Sequence, residues 1–158
     1  MKRSLLLMLL LWPFLSMAQQ TDFSGKCDLN LQKTDFEHAP DWLMPKSLEI
    51  KQKSNALVVE ATIYDEHRMQ HYYTETLSFD GTNSTTFTYD NTRRIVSLKW
   101  NLDNKSFVLS VRPVAGDDQE GFDFTETWSL ENDGKTLVLD RVATQASDYN
   151  VKAYYDKK

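Results

Sequence analysis

From residue 24 onward, apolar and polar residues alternate with a period of two in short segments, and this alternation constrains the fold more than any other feature. A period of two is typical of β-strands that bury one face. Turn residues separate the segments, as at Asp80-Gly81 and Asp133-Gly134, and they accept the backbone angles of tight hairpins. We predict about ten strands, at residues 26–33, 46–53, 56–65, 69–79, 84–90, 93–102, 105–113, 121–131, 135–143 and 150–156.

The short links between these segments predict an all-β fold, an antiparallel up-and-down β-barrel of about 8–10 strands. Closure is favoured because an open sheet of this size would expose two unpaired edges. A β-sandwich is the alternative, since two packed sheets show the same alternation. Residues 34–45 break the pattern, and with Pro40 and Pro45 they can hold only a short helical turn, as a lid or plug.

The start of the chain has the layout of a secretory signal peptide. Lys2 and Arg3 precede an apolar run over residues 5–15, and small residues follow up to Ala18. This run is shorter than the roughly 20 residues that cross a bilayer. We therefore predict a signal peptide at 1–18 and a single barrel domain at 19–158. The expected location is periplasmic or secreted, in soluble form and without a stable membrane anchor.

The net charge limits the classes of partner that the protein can bind, and the cysteine content limits how the fold can be stabilised. The formal net charge is −5, and it becomes −7 once Lys2 and Arg3 are removed. An acidic surface argues against nucleic acid and anionic membranes as partners. Cys27 is the only cysteine, so no internal disulfide is expected and the fold must rest on apolar packing.

Several stretches together resemble a known family. They are the start at Phe23-x-Gly25, the irregular segment, the series of hairpins and the late run TETWSLENDGKTLVLDR at 125–141. Over most of residues 22–157 the chain resembles the small exported lipocalin-like proteins of bacteria, within the calycin superfamily. The resemblance implies an antiparallel barrel whose interior often holds a small apolar molecule.

The chain departs from this family at Cys27, where lipocalins place a tryptophan two residues after the glycine. In the family, that tryptophan closes the floor of the barrel and an arginine from a late strand lies across its ring. Arg141 matches the arginine by position. Without the indole, we expect Arg141 to pair with a carboxylate, a carbonyl or another ring, and we expect Cys27 to be a small buried apolar residue.

Alternation places several polar side chains among inward-facing apolar ones. A structural interpretation pairs Glu126 with Arg141 and leaves Arg94 at an open rim. A functional interpretation has Arg94 or Arg141 meet a ligand carboxylate, with His71 and Tyr73 orienting it. The candidate ligand-binding residues are His71, Tyr73, Glu75, Arg94, Glu126 and Arg141, together with the aromatic residues Phe87, Tyr89, Trp100, Phe107, Phe124 and Trp128.

The function predicted from these features is an exported barrel that binds a small, mainly hydrophobic molecule, one that can carry an acidic group, and performs no chemistry. No cofactor is expected. His67 and His71 would lie about 13 Å apart on a strand, which is too far for one metal ion.

Two other functions remain open. One is an envelope protein-protein interaction or inhibitor module whose barrel is filled by its own side chains. The other is an acid/base enzyme that uses His71 with Glu75.

Overall fold

The computed structural model describes residues 20–114 and 122–158, and these residues contain ten β-strands. The predicted signal peptide at 1–18 lies outside the described residues, and so do residues 115–121, which include the first residue of the predicted strand at 121–131. The strands are β1 (Gly25–Leu29), β2 (Ser47–Gln52), β3 (Ala56–Tyr64), β4 (Gln70–Ser78), β5 (Ser84–Phe87), β6 (Arg93–Trp100), β7 (Ser106–Pro113), β8 (Phe124–Glu131), β9 (Thr136–Ala143) and β10 (Val151–Lys157).

All ten strands belong to one antiparallel sheet in the order β4-β3-β2-β1-β10-β9-β8-β7-β6-β5. Apart from β4 and β5, strands that are neighbours in sequence pair with each other, and β1 also pairs with β10, so the sheet curls into a nearly closed barrel. The edge strands β4 and β5 have no ladder between them in the part of the chain that the structure describes, and we call this gap the seam. The prediction of an up-and-down barrel is confirmed, and the sandwich alternative is wrong because the sheet is continuous.

The two ends of the seam are joined in different ways. At one end, Asp80 forms a β-bridge with Lys99, and the backbone N–H of Gly81 donates to the carbonyl of Leu98 at 3.0 Å. At the other end, the rings of His71 and Tyr89 stack with their centroids 4.3 Å apart. The His71 end is therefore held by side chains.

The inward faces of the strands pack as the alternation predicts. Fully buried positions include Cys27, Leu57, Phe107, Leu137, Ala153 and Tyr155. An aromatic cluster of Phe23, Phe79, Trp100 and Phe107 fills one end of the interior. The predicted short helical turn is a 3₁₀ helix at Asp41–Leu43, and the hydroxyl of Tyr155 donates to the carbonyl of Pro45 at 2.9 Å, which ties this segment to the barrel.

The alternation puts Leu31 on the same face as Cys27 and Leu29, and Leu102 on the same face as Leu98 and Trp100, which predicts that both point inward, but both are exposed. The side chains of Leu31 and Leu102 are 52% and 105% exposed, because β1 ends at Leu29 and β6 ends at Trp100. After β1, the side-chain oxygen of Asn30 accepts hydrogen bonds from the next backbone amides and turns the chain. The side-chain amide of Asn30 therefore ends β1 at Leu29, although the apolar alternation continues to Leu31.

Candidate ligand-binding cavity

A cavity of about 40 Å³ lies inside the barrel, which is room for about one to three water molecules. Most of its lining residues are apolar, but charged side chains from β4, β6, β8 and β9 also project into it. The lining residues are Pro45, Leu48, Val59, Tyr73, Glu75, Leu77, Arg94, Leu109, Phe124, Glu126, Trp128, Leu139 and Arg141.

Glu126 and Arg141 form a buried ion pair on one side of this cavity. The two residues lie directly opposite each other on β8 and β9. Arg141 donates to Glu126 Oε1 through Nε at 2.8 Å and through Nη2, and Trp128 Nε1 donates to Glu126 Oε2 at 2.9 Å. The Arg141 guanidinium also lies 4.4 Å from the centre of the Phe124 ring. Both carboxylate oxygens of Glu126 are therefore satisfied, and the predicted pairing of Arg141 with a carboxylate and a ring is confirmed.

The positional match of Arg141 to the family arginine is wrong. Cys27 lies opposite Lys157 on β10, whereas Arg141 lies opposite Val151, so six residues of β10 separate the two levels. Arg141 consequently does not lie against the position where lipocalins keep the tryptophan. Cys27 is fully buried as predicted, and burial raises the pKa of its thiol to about 11.

Glu75 and Arg94 form a second ion pair, which crosses the seam. Arg94 Nη2 on β6 donates to Glu75 Oε1 on β4, and Arg94 Nε donates to the Thr86 hydroxyl at 3.3 Å. The Arg94 side chain is only 16% exposed, so its expected position at an open rim is wrong. Burial acts to lower the pKa of Arg94, but the Glu75 carboxylate offsets it and the net pKa is raised, so the guanidinium stays charged.

This second pair is only partly satisfied. Within residues 20–114 and 122–158, no hydrogen bond reaches Glu75 Oε2, Arg94 Nη1 or the Tyr73 hydroxyl. Tyr73 lies two residues before Glu75 on the same face of β4, and its ring centre is 5.9 Å from the Arg94 guanidinium. Burial, and then the Glu75 carboxylate, raise the pKa of Tyr73 to about 12, so the phenol keeps its proton. The seam side of the cavity thus presents polar atoms without a protein partner.

Neither a family model nor a curated protein matches the sequence. Several solved structures match the fold of this chain. The fold is similar to that of the fluorescent protein UnaG. Wild-type UnaG aligns with a TM-score of 0.54 at 14% identity, over 86% of this chain and 97% of that chain.

Two single-residue mutants of UnaG align in the same way. Their TM-scores are 0.58 and 0.53, at 13% and 15% identity, over 86% and 85% of this chain and 96% and 95% of those chains. At such identities the likeness to UnaG shows the fold alone, which is the β-barrel that the sequence predicted.

The remaining predicted residues lie away from the cavity. His71 stacks on Tyr89 at the end of the seam, and its Nε2 is 2.9 Å from Asp65 Oδ2. The hydrogen-bond partner of His71 is therefore Asp65. Among the described residues, no hydrogen bond joins His71 to Glu75, the predicted acid/base partner. Phe87 is 55% exposed on the outer face of β5.

Trp100 and Phe107, also predicted, belong to the aromatic cluster at one end of the interior, which is separate from the cavity lining. Six lining residues were not among the predicted ones, namely Pro45, Leu48, Val59, Leu77, Leu109 and Leu139. The alternation could have identified the five aliphatic residues, because each lies at a buried, inward-facing position of β2, β3, β4, β7 or β9.

The described part of the chain contains no group of His, Cys, Asp or Glu side chains arranged to hold a metal ion. No helix there is long and apolar enough to cross a membrane.

Proposed function

We propose that the chain is an exported, non-catalytic barrel that binds one small, mainly apolar molecule, with a polar group of that molecule held by Arg94 and Tyr73. The observation that carries the proposal is that Tyr73, Glu75 and Arg94 present polar atoms with no hydrogen bond among the described residues to a cavity lined by many apolar side chains. Among the described residues the one fully buried side-chain nitrogen or oxygen without a partner is Trp100 Nε1, away from this cavity, so the open atoms of Tyr73, Glu75 and Arg94 are accessible to a group placed beside them. A buried ion pair with open hydrogen-bonding positions is also a poor source of stability, because desolvation offsets much of its attraction.

The walls of the cavity favour an apolar body for the ligand. Leu48, Val59, Leu77, Leu109 and Leu139 line it, and all are buried. The closed cavity of about 40 Å³ holds only the polar end of such a molecule, so a larger ligand requires the barrel to open. Near His71 and Glu75, side chains join the two edges of the seam. Opening at this point therefore breaks fewer bonds than opening elsewhere in the sheet.

Export is supported by the basic, apolar and small-residue layout of residues 1–18. The non-catalytic role is supported by the partners of the candidate acid/base groups, since His71 contacts Asp65 and Glu75 contacts Arg94. The fold on which the proposal rests is that of the UnaG-type barrel.

The direct test is native mass spectrometry of the full chain, purified from an expressing cell and then extracted with organic solvent. We expect a bound small molecule that the extraction releases and that rebinds to the stripped protein. Leu109→Phe places a ring in the cavity, and Val142→Phe places the same ring on the outer face of β9, where Val142 is 54% exposed. Rebinding should fall at least tenfold in the first variant and stay unchanged in the second. Equal rebinding to the two variants would place the ligand outside the barrel and refute the proposal.

A second candidate function is an interaction or inhibitor module with a filled barrel. The small volume of the cavity favours it, because most of the interior is occupied by side chains. In that case the purified protein carries no molecule, and Leu109→Phe changes stability without changing any binding. Capture of one defined partner by the full chain, lost when the exposed Leu102 or Phe87 is replaced by serine, would support this function.

A further inference from the structure

The charges around the cavity sum to zero. Glu75 and Glu126 contribute two negative charges, and Arg94 and Arg141 contribute two positive charges. Both carboxylate oxygens of Glu126 accept hydrogen bonds from Arg141 or Trp128, and Arg141 uses Nε and Nη2 on Glu126, which leaves Arg141 Nη1 without a hydrogen bond among the described residues. A ligand with a charged group would therefore add an uncompensated charge to a buried site, which is costly.

The free atoms on the seam side form a complementary set. Glu75 Oε2 is an unused acceptor, whereas Arg94 Nη1 and the Tyr73 hydroxyl are unused donors. The residues that carry these atoms are neighbours, since Tyr73 and Glu75 lie two residues apart on one face of β4, Arg94 is paired to Glu75 across the seam, and the Arg94 guanidinium lies 5.9 Å from the centre of the Tyr73 ring. A group that fits them must place a donor beside an acceptor.

We infer that the polar end of the ligand is a neutral group with a hydrogen-bond donor next to an acceptor, either a protonated carboxylic acid or a primary amide, and not an ionised carboxylate or sulfonate. This inference rests on the proposed function and specifies the ligand class. The O–H or N–H of the group donates to Glu75 Oε2, and its C=O accepts from Arg94 Nη1 or the Tyr73 hydroxyl. An ionised carboxylate would instead face the negative charge of Glu75.

An acidic ligand must then enter with its proton, so its affinity depends on pH. Charged or titratable groups reach the site from four strands, namely Tyr73 and Glu75 (β4), Arg94 (β6), Glu126 (β8) and Arg141 (β9). Strand β3, next to β4, contributes Val59, and strand β5, next to β6, contributes Thr86. Neither residue carries a charge. Of these groups, Glu75 is the one with an open carboxylate oxygen to accept the ligand's proton.

The test compares three probes with the same apolar chain, binding to the full stripped protein: decanamide, decanoic acid and decane-1-sulfonate. We expect decanamide to bind equally at about pH 5 and about pH 8, and decanoic acid to weaken by roughly tenfold per pH unit above its own pKa. The permanently charged sulfonate should bind at least about a hundredfold more weakly than the amide. Calorimetry in buffers of different ionisation enthalpy should report uptake of about one proton per decanoic acid bound at about pH 8.

A matched pair of variants checks that Glu75 sets this preference. Glu75→Gln leaves Arg94 as an uncompensated cation, so sulfonate binding should strengthen at least about tenfold. Glu60→Gln removes a carboxylate from the adjacent strand, where Glu60 pairs with Lys51 outside the barrel, and should change nothing. If Glu75→Gln does not fold, the proton uptake of the wild-type protein still decides.

The outcomes separate this inference from the proposed function. Sulfonate binding as tight as amide binding, or decanoic acid binding that is equal at the two pH values without proton uptake, would overturn the inference and leave the proposed function standing. No binding of any probe at either pH would overturn both.

Discussion

Replacing Glu126 by glutamine tests whether the Glu126–Arg141 pair is part of the structural core. Glu126 is 3% exposed and accepts N–H bonds from Arg141 Nε, Arg141 Nη2 and Trp128 Nε1. Glutamine keeps the shape of the side chain but removes its charge, so Arg141, 8% exposed, becomes a buried cation without a counter-charge. Breaking a buried pair in this way costs about 3–5 kcal/mol.

A loss of that size is a large part of the whole stability of a domain, which is about 5–15 kcal/mol. We expect urea denaturation followed by circular dichroism to show it directly, and thermal unfolding to show a fall in Tm of about 10–20 °C. Glu131→Gln, at an exposed position of the same strand, is the matched control and should change stability by less than about 0.5 kcal/mol.

A double variant distinguishes a broken ion pair from general disruption of the core. Glu126→Leu with Arg141→Met removes both charges, and we expect it to recover most of the lost stability, because apolar replacements of a buried pair are often neutral. The reasoning is refuted if Glu126→Gln costs less than about 1 kcal/mol. It is also refuted if the double variant is as unstable as the sum of the two single variants.

Further predictions concern the thiol, the phenol and the seam. Because Cys27 is fully buried and its thiol pKa is raised to about 11, a thiol reagent at about pH 8 should label the native protein at least a hundredfold more slowly than the unfolded chain; fast labelling would contradict the packing. The pKa of Tyr73 is raised from 10.0 to about 12, so its stabilising contribution is complete below about pH 10 and is lost as the pH rises to about 12. Over that range urea unfolding should show a loss about 2–3 kcal/mol smaller in Tyr73→Phe than in the wild-type protein, while Tyr155, whose pKa burial also raises, contributes its own loss to both proteins. His71→Ala removes the stack on Tyr89 and the contact with Asp65, so hydrogen exchange should accelerate in β4 and β5 with a stability loss of about 1–2 kcal/mol; unchanged exchange there would show that the stack does not hold the seam.

The Glu126–Arg141 pair was predictable because its determinants are local. Both residues occupy inward positions in the alternation, and the hairpin that joins β8 to β9 places them opposite each other. The same reasoning failed at Leu31 and Leu102, where the alternation continues past the last paired residue. Alternation assigns a face only while a partner strand is present, and a side chain such as Asn30 can end the strand first.

The Glu75–Arg94 pair was not predictable from the sequence. Its two strands share no ladder, so neither a hairpin nor a register relates the two positions. They meet because the curvature summed over the whole sheet brings β4 to the side of β6. The volume of the cavity was not predictable from the sequence either, because it depends on how every inward side chain packs.

The sequence by itself determined the all-β class, the strands and most inward faces of this protein, because each follows from residues close together in the chain. Only the tertiary structure decided that the sheet closes with a seam between β4 and β5, and that Tyr73, Glu75 and Arg94 share one cavity with open hydrogen-bonding positions. The physical reason is that closure depends on the twist and tilt of all ten strands together, and no local pattern encodes that sum.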